Sequence, residues 1–153
     1  MEIRQKVLIK GERKQTLVNA LIDTGASVSM LSESVAREIG AWLTNRSIHV
    51  TGVHGDTREM DVLLADISFP NISNVGGRFT FAMGQSTIVG MDILKPLGVV
   101  IDTSTGKLRV KNDTWEAFKT LAATGAIVLG ISMALGAISE GPHKRSPRRR
   151  RAR

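Results

Sequence analysis

Polar and apolar residues alternate through Arg78-Phe79-Thr80-Phe81-Ala82-Met83, and this two-residue period constrains the fold more than any other stretch. Successive side chains of a strand point to opposite faces, so such a run fits a strand with one face in a core. Other short apolar runs between turn residues read the same way: Val7 to Lys10, Thr16 to Ile22, Ile48-His49-Val50, Asp61 to Phe69, and the stub Thr87-Ile88-Val89-Gly90. Val99 to Asp102 and Lys107 to Val110 flank the turn Thr103-Ser104-Thr105-Gly106 as a hairpin. Pro70 to Gly77 reads as a loop, Gly52 to Gly55 as a turn. Ser32 or Ser34 is placed to cap a short helix through Ile39 that Gly40 stops, and Met91 to Leu97 makes a second, limited by Pro96. The body is thus expected to be mostly short strands with one or two short helices.

Composition supports that reading and narrows the chemistry. Aromatic residues make up only 4% of the 153, so the core must rest on Val, Ile, Leu and Met. The net charge of +7 suggests nucleic acid until it is located: the segment after Pro142 holds seven of the 21 basic residues, and the remaining 14 balance 14 acidic ones. The body is neutral, which argues against a nucleic-acid interface on the folded part. With no cysteine, disulfides, thiolate catalysis and Cys-based zinc sites are excluded. His49, His54 and His143 lack metal-ligand spacing, so no metal site is expected. Met1-Glu2-Ile3-Arg4-Gln5-Lys6 has no apolar run behind it, so no secretory signal is expected there.

Leu121 to Ser139 carries no charge over 19 residues, close to the ~20 needed to cross a bilayer. Gly125, Gly130 and Gly136 suit a membrane helix better than a soluble one, and Trp115 and the downstream arginines would be interfacial anchors. The expectation is a single-pass, membrane-associated protein; a buried helix or an amphipathic partner-binding segment is the alternative. Sidedness stays open, because the positive-inside tendency puts the tail in the cytoplasm while the lack of an N-terminal signal favours a cytoplasmic domain. The tail Lys144 to Arg153 is either a solvated end or a contact for anionic lipid or RNA. The expected layout is a domain over 1–113, a linker and apolar helix over 114–140 with the span at 121–139, and a basic tail over 141–153.

Leu21-Ile22-Asp23-Thr24-Gly25-Ala26-Ser27 carries the chemistry. An apolar strand running into Asp-Thr-Gly puts a carboxylate at the start of a functional loop. Two carboxyl groups about 3 Å apart cannot both ionise and share one proton. The ionised member activates water for attack on a peptide carbonyl, and the protonated one donates to the developing oxyanion. Asp23 supplies a carboxylate, the Thr24 hydroxyl can lock two such loops together, and Gly25 lets backbones approach closely.

Ala20 to Ser27, then Ser86-Thr87-Ile88-Val89-Gly90-Met91-Asp92-Ile93-Leu94 about 65 residues after Asp23, and the strand Gly98 to Asp102 together resemble the retropepsin-like (retroviral-type) aspartic proteases, in their cellular form. The resemblance covers roughly residues 5 to 111. It implies an all-β fold, a closed, mostly antiparallel β-barrel that dimerises to complete one active site, with an apolar helix appended here at the C-terminus. It implies that Asp23 is catalytic, that Thr24, Gly25, Ala26 and Ser27 support its loop, and that Ile88, Val89 and Gly90 pack behind it. Gly52, Val53, His54 and Gly55 would form the flap over an extended peptide, an ordinary surface hairpin being the alternative. Pepsin-type monomers carry two Asp-Thr-Gly motifs in a chain at least twice as long, whereas this chain has one, so two chains per site are expected. Asp102-Thr103-Ser104-Thr105-Gly106 is read as a hairpin turn. No cofactor is implied. Many viral members pair an acidic residue with a basic one at the positions held here by Ser27 and Met91, so both partners of that ion pair are absent together.

The function expected is that of a homodimeric aspartic endopeptidase. Two other classes stay open: a catalytically silent dimeric β-domain that binds peptides by strand addition, and a basic-tail nucleic-acid or lipid binder.

Overall fold

The computed structural model describes residues 2–123. The elements run β1 (Ile3–Lys10), β2 (Gln15–Ile22), β3 (Met30–Ser32), α1 (Glu33–Ile39), β4 (Trp42–Thr51), β5 (Thr57–Phe69), β6 (Val75–Gly84), β7 (Ile88–Val89), α2 (Met91–Leu94), β8 (Val99–Asp102), β9 (Lys107–Val110) and α3 (Asn112–Ala123). The fold is mostly β with few helices. Seven strands pair in the order β1-β2-β7-β3-β6-β5-β4, and β1 also pairs with β5, so six of them form a ring with β4 at the edge. All these pairings are antiparallel except β2–β7 and β3–β6. β8 and β9 form a separate two-stranded sheet.

The alternating face of each strand fills the ring. Val7 and Ile9, Ala20 and Ile22, Leu63, Ala65, Ile67 and Phe69, and Phe79 and Phe81 all point inward and are buried. Helix α1 is bounded as its caps require: the Ser32 hydroxyl accepts from the Val35 N–H, and Gly40 closes the helix in the left-handed region at φ 67°. The hairpin over Val99 to Val110 has the expected register, Val99 opposite Val110 and Asp102 opposite Lys107.

Several strands run longer than their local pattern. β1 reaches back to Ile3 because Ile3 pairs with Ile22. β4 starts at Trp42, crossing an irregularity between Leu43 and Arg46 where Asn45 takes φ 57°. Val75 to Gly77, expected as loop, is strand: it continues the pairing of β5, Phe69 opposite Val75. Glycine is needed there, because a Cβ at Gly76 would stand 2.2 Å from the Ile67 carbonyl oxygen.

The C-terminal part requires a correction. Among the described residues no helix is long and apolar enough to cross a membrane. Leu121, where the expected span begins, lies in the last turn of α3, a 12-residue helix carrying Asp113, Glu116 and Lys119. This helix docks on the β domain: Phe118 is buried and stacks on Phe79 at 5.7 Å, and Trp115 also stacks on it at 5.7 Å. The start of the apolar run thus continues a charged helix held by aromatic packing, and the membrane-associated, single-pass localisation is withdrawn. Residues 124–139 of the expected span, and the basic tail at 141–153 with its lipid or RNA contact, lie outside the described residues.

Candidate active site

Sheet order explains how two motifs so distant in sequence meet. β7 lies between β2 and β3, although the chain passes from β2 to β3 through residues 23–29 alone. That connection must step over the end of β7, which places the Asp23 loop against Val89 and Gly90. Leu21 stands opposite Ile88 and Ile22 opposite Val89 in parallel register.

Backbone hydrogen bonds then fasten the loop. The Asp23 N–H donates to the Val89 carbonyl (3.0 Å), and the Ala26 N–H donates to the Asp23 carbonyl (3.2 Å). The Met91 N–H donates to the Ala26 carbonyl (2.9 Å). The Gly25 N–H donates to Asp23 Oδ1 (2.8 Å), which ties the carboxylate down over its own loop and sets its direction. Asp23 is half-buried, whereas Thr24, Gly25 and Ser27 are exposed. Behind the loop Ile88 is half-buried, Val89 and Gly90 fully so.

The structure adds a contact between Ser29 and Asp92, the latter inside the second motif. Ser29 is fully buried at the end of the loop. Its N–H donates to Asp92 Oδ2 (2.8 Å), its hydroxyl donates to Asp92 Oδ1 (2.6 Å), and its Oγ accepts from the Gly90 N–H (2.8 Å). Burial pushes the Asp92 carboxyl above the usual carboxylate range, and the hydrogen bonds from Ser29 oppose that shift. A serine six residues after Asp23, with an acid two residues after Gly90, was the only sequence signal for this contact.

The segment Gly52 to Gly55 is the tip of the β4–β5 hairpin. The Gly52 N–H donates to the Asp56 carbonyl (2.8 Å) and the Gly55 N–H to the Gly52 carbonyl (2.9 Å). Gly55 has φ 83°, and Val53 is 97% exposed. A cavity of about 270 Å³ lies between this hairpin and the segment leading into β7. Met30, Val50, Met60 and Ile88 give it an apolar lining, and Gly52, Asp56, Arg58, Gln85 and Ser86 complete it. It is the size for one or two side chains, below the roughly 300 Å³ at which small-molecule sites begin. The hairpin therefore faces the strand next to the Asp23 loop, while Asp23, Val53 and His54 themselves do not line the cavity. Asp102 lies elsewhere, in the β8–β9 turn, where the Ser104 N–H and hydroxyl donate to it and hold its carboxyl below the usual range.

Residues 6–96 match the family model described as "gag-polyprotein putative aspartyl protease". The match spans more than half of the chain, and the chain belongs to this family, of the retropepsin-like aspartic proteases. A solved structure, "EIAV protease complexed with the inhibitor HBY-793", is similar at 26% identity with a TM-score of 0.48, over 64% of this chain and 89% of that one. No curated protein matches the chain.

Proposed function

We propose that this protein is a homodimeric aspartic endopeptidase, its one active site built from two Asp23 carboxylates, one from each subunit. The observation that carries the reading is the state of the Asp23 loop: a carboxylate aimed by the Gly25 N–H at 2.8 Å, on a loop whose Thr24, Gly25 and Ser27 are exposed. An aimed carboxylate on an accessible loop is half of a site, and membership of an aspartic protease family supports the other half coming from a second copy.

In the dimer one Asp23 is ionised and its partner protonated. The ionised one takes a proton from water as that water attacks the scissile carbonyl, and the protonated one donates to the oxyanion. The proton then passes to the leaving amine. Thr24 joins the two loops, Gly25 leaves room for them to meet, and Ala26 and Ser27 carry the loop back towards β3. Ile88, Val89 and Gly90 keep it from shifting. The hairpin tip, with Gly52, Val53, His54 and Gly55, closes over an extended peptide, and the apolar cavity takes one of its side chains. The catalytic domain is residues 1–113, on which α3 docks through Phe118.

Cleavage of a peptide library at mildly acidic pH tests this, with Asp23→Asn as the control. Cleavage by the wild type and none by the variant is expected. Equal cleavage by both excludes Asp23, and none by either favours a silent peptide-binding domain.

A further inference from the structure

Asp92 is a half-buried carboxyl to which the mechanism gives no task. Asp92 offers one oxygen to the Ser29 N–H at 2.8 Å and the other to the Ser29 hydroxyl at 2.6 Å. Ser29 Oγ also receives the Gly90 N–H at 2.8 Å. Ser29 closes the Asp23 loop, and Asp92 stands in the first turn of α2, so this contact joins the far end of the loop to the second motif.

The chemistry of the contact is selective. The two donors of Ser29 reach two different oxygens of Asp92, and in an asparagine one of those positions is an NH2 that donates and does not accept. The serine hydroxyl gives to Asp92 and accepts from Gly90 at once, which no apolar residue of that size could do. Burial of the carboxyl is not fully offset by these bonds, as its upward shift shows. An apolar contact would hold two segments together more cheaply but would not fix their orientation, because apolar attraction is non-directional.

We propose that Ser29 and Asp92 are a positioning pair for peptide hydrolysis: without touching substrate, they hold the 23–29 loop so that Asp23 meets its counterpart from the second subunit. Resting on the proteolytic reading, this adds a third anchor to the two backbone bonds, Asp23 N–H to Val89 O and Met91 N–H to Ala26 O. Without it the β3 end of the loop keeps its backbone bond from the Ala82 N–H to the Ser29 carbonyl (2.9 Å) but loses its side-chain tie to the second motif. A misplacement of about 1 Å in such a site costs about 100-fold in rate.

The test uses the full chain with Ser29→Ala, Ser29→Thr and the near-isosteric Asp92→Asn, reading kcat and KM on a cleaved peptide and amide hydrogen exchange residue by residue. Ser29→Ala and Asp92→Asn are expected to lower kcat about 10- to 100-fold with KM within about threefold. Exchange should accelerate at Ala26 and Met91 while β1 and β5 keep their protection. Ser29→Thr, which keeps the hydroxyl, should restore both. A folded Ser29→Ala or Asp92→Asn protein with wild-type kcat overturns the proposal, as does exchange that rises uniformly over the sheet, since that reports stability alone. If the wild type cleaves nothing, the proteolytic reading fails by itself. The exchange pattern then still decides whether this pair positions the loop: local acceleration supports it, and an unchanged or uniform pattern overturns it. Should Ser29→Ala not fold, Asp92→Asn carries the same two readouts.

Discussion

Gly90 lies so close to Ala26 that a Cβ added to it would stand 2.5 Å from the Ala26 carbonyl oxygen. That oxygen already accepts the Met91 N–H at 2.9 Å, so backbone rather than a flexible side chain would have to give way. Gly90 has φ −100°, a conformation open to any residue, so the requirement for glycine there is one of space.

Gly90→Ala should therefore destabilise the protein by about 1–3 kcal/mol, the usual cost of overpacking. Because the displaced backbone is the Asp23 loop itself, peptide cleavage should fall further than stability alone explains. Urea unfolding together with kcat/KM under conditions where the variant remains folded separates the two effects.

A site shared between two chains has a signature in mixtures. Asp23→Asn subunits mixed in equal amount with wild type should leave about a quarter of randomly paired dimers with both carboxylates. Activity should then fall to about a quarter, rather than to the half expected of independent subunits. Co-refolding followed by a cleavage assay checks this.

The Asp92 carboxyl has its affinity for a proton raised on folding above the ordinary 3.8. The native state therefore holds this proton more tightly than the unfolded chain. Its contribution to stability is fully present below about pH 4 and is lost as pH rises through the folded value. Unfolding free energies measured upward from pH 4 should show this downward component in wild type, and Asp92→Asn should lack it.

Gly55 has φ 83° with open space where a Cβ would go, so its constraint is conformational. Gly55→Ala should cost about 1 kcal/mol locally and leave the melting temperature nearly unchanged, because the hairpin tip can open alone. If the tip closes on substrate, kcat/KM should drop by about threefold to tenfold. Calorimetry and peptide kinetics on the same sample provide the comparison.

Phe118 tests the role of α3. Phe118→Ala removes the ring that stacks on Phe79 and lies over Gly77, where an added Cβ would meet it at 2.7 Å. A loss of about 3 kcal/mol is expected, at the low end for a buried phenylalanine. Thermal unfolding measures it, and kcat of the folded variant should be unchanged.

What the amino-acid order alone determined is what acts over a few residues. The alternation in Arg78 to Phe81 gives a half-buried strand, Ser32 and Gly40 bound α1, Thr103 to Gly106 turns a hairpin, and Asp23-Thr24-Gly25 after an apolar run marks the candidate site. Tertiary structure decided the rest. Ile3 and Val75 are strand because the partners opposite them, Ile22 and Phe69, extend the register, Leu121 to Ala123 continue a helix anchored by Phe118, and Ser29 meets Asp92 because β7 inserts between β2 and β3. The reason is physical: periodicity and caps express forces local to the chain. Pairing between strands some sixty residues apart depends on which edges remain unpaired once the ring assembles, and no local pattern carries that information.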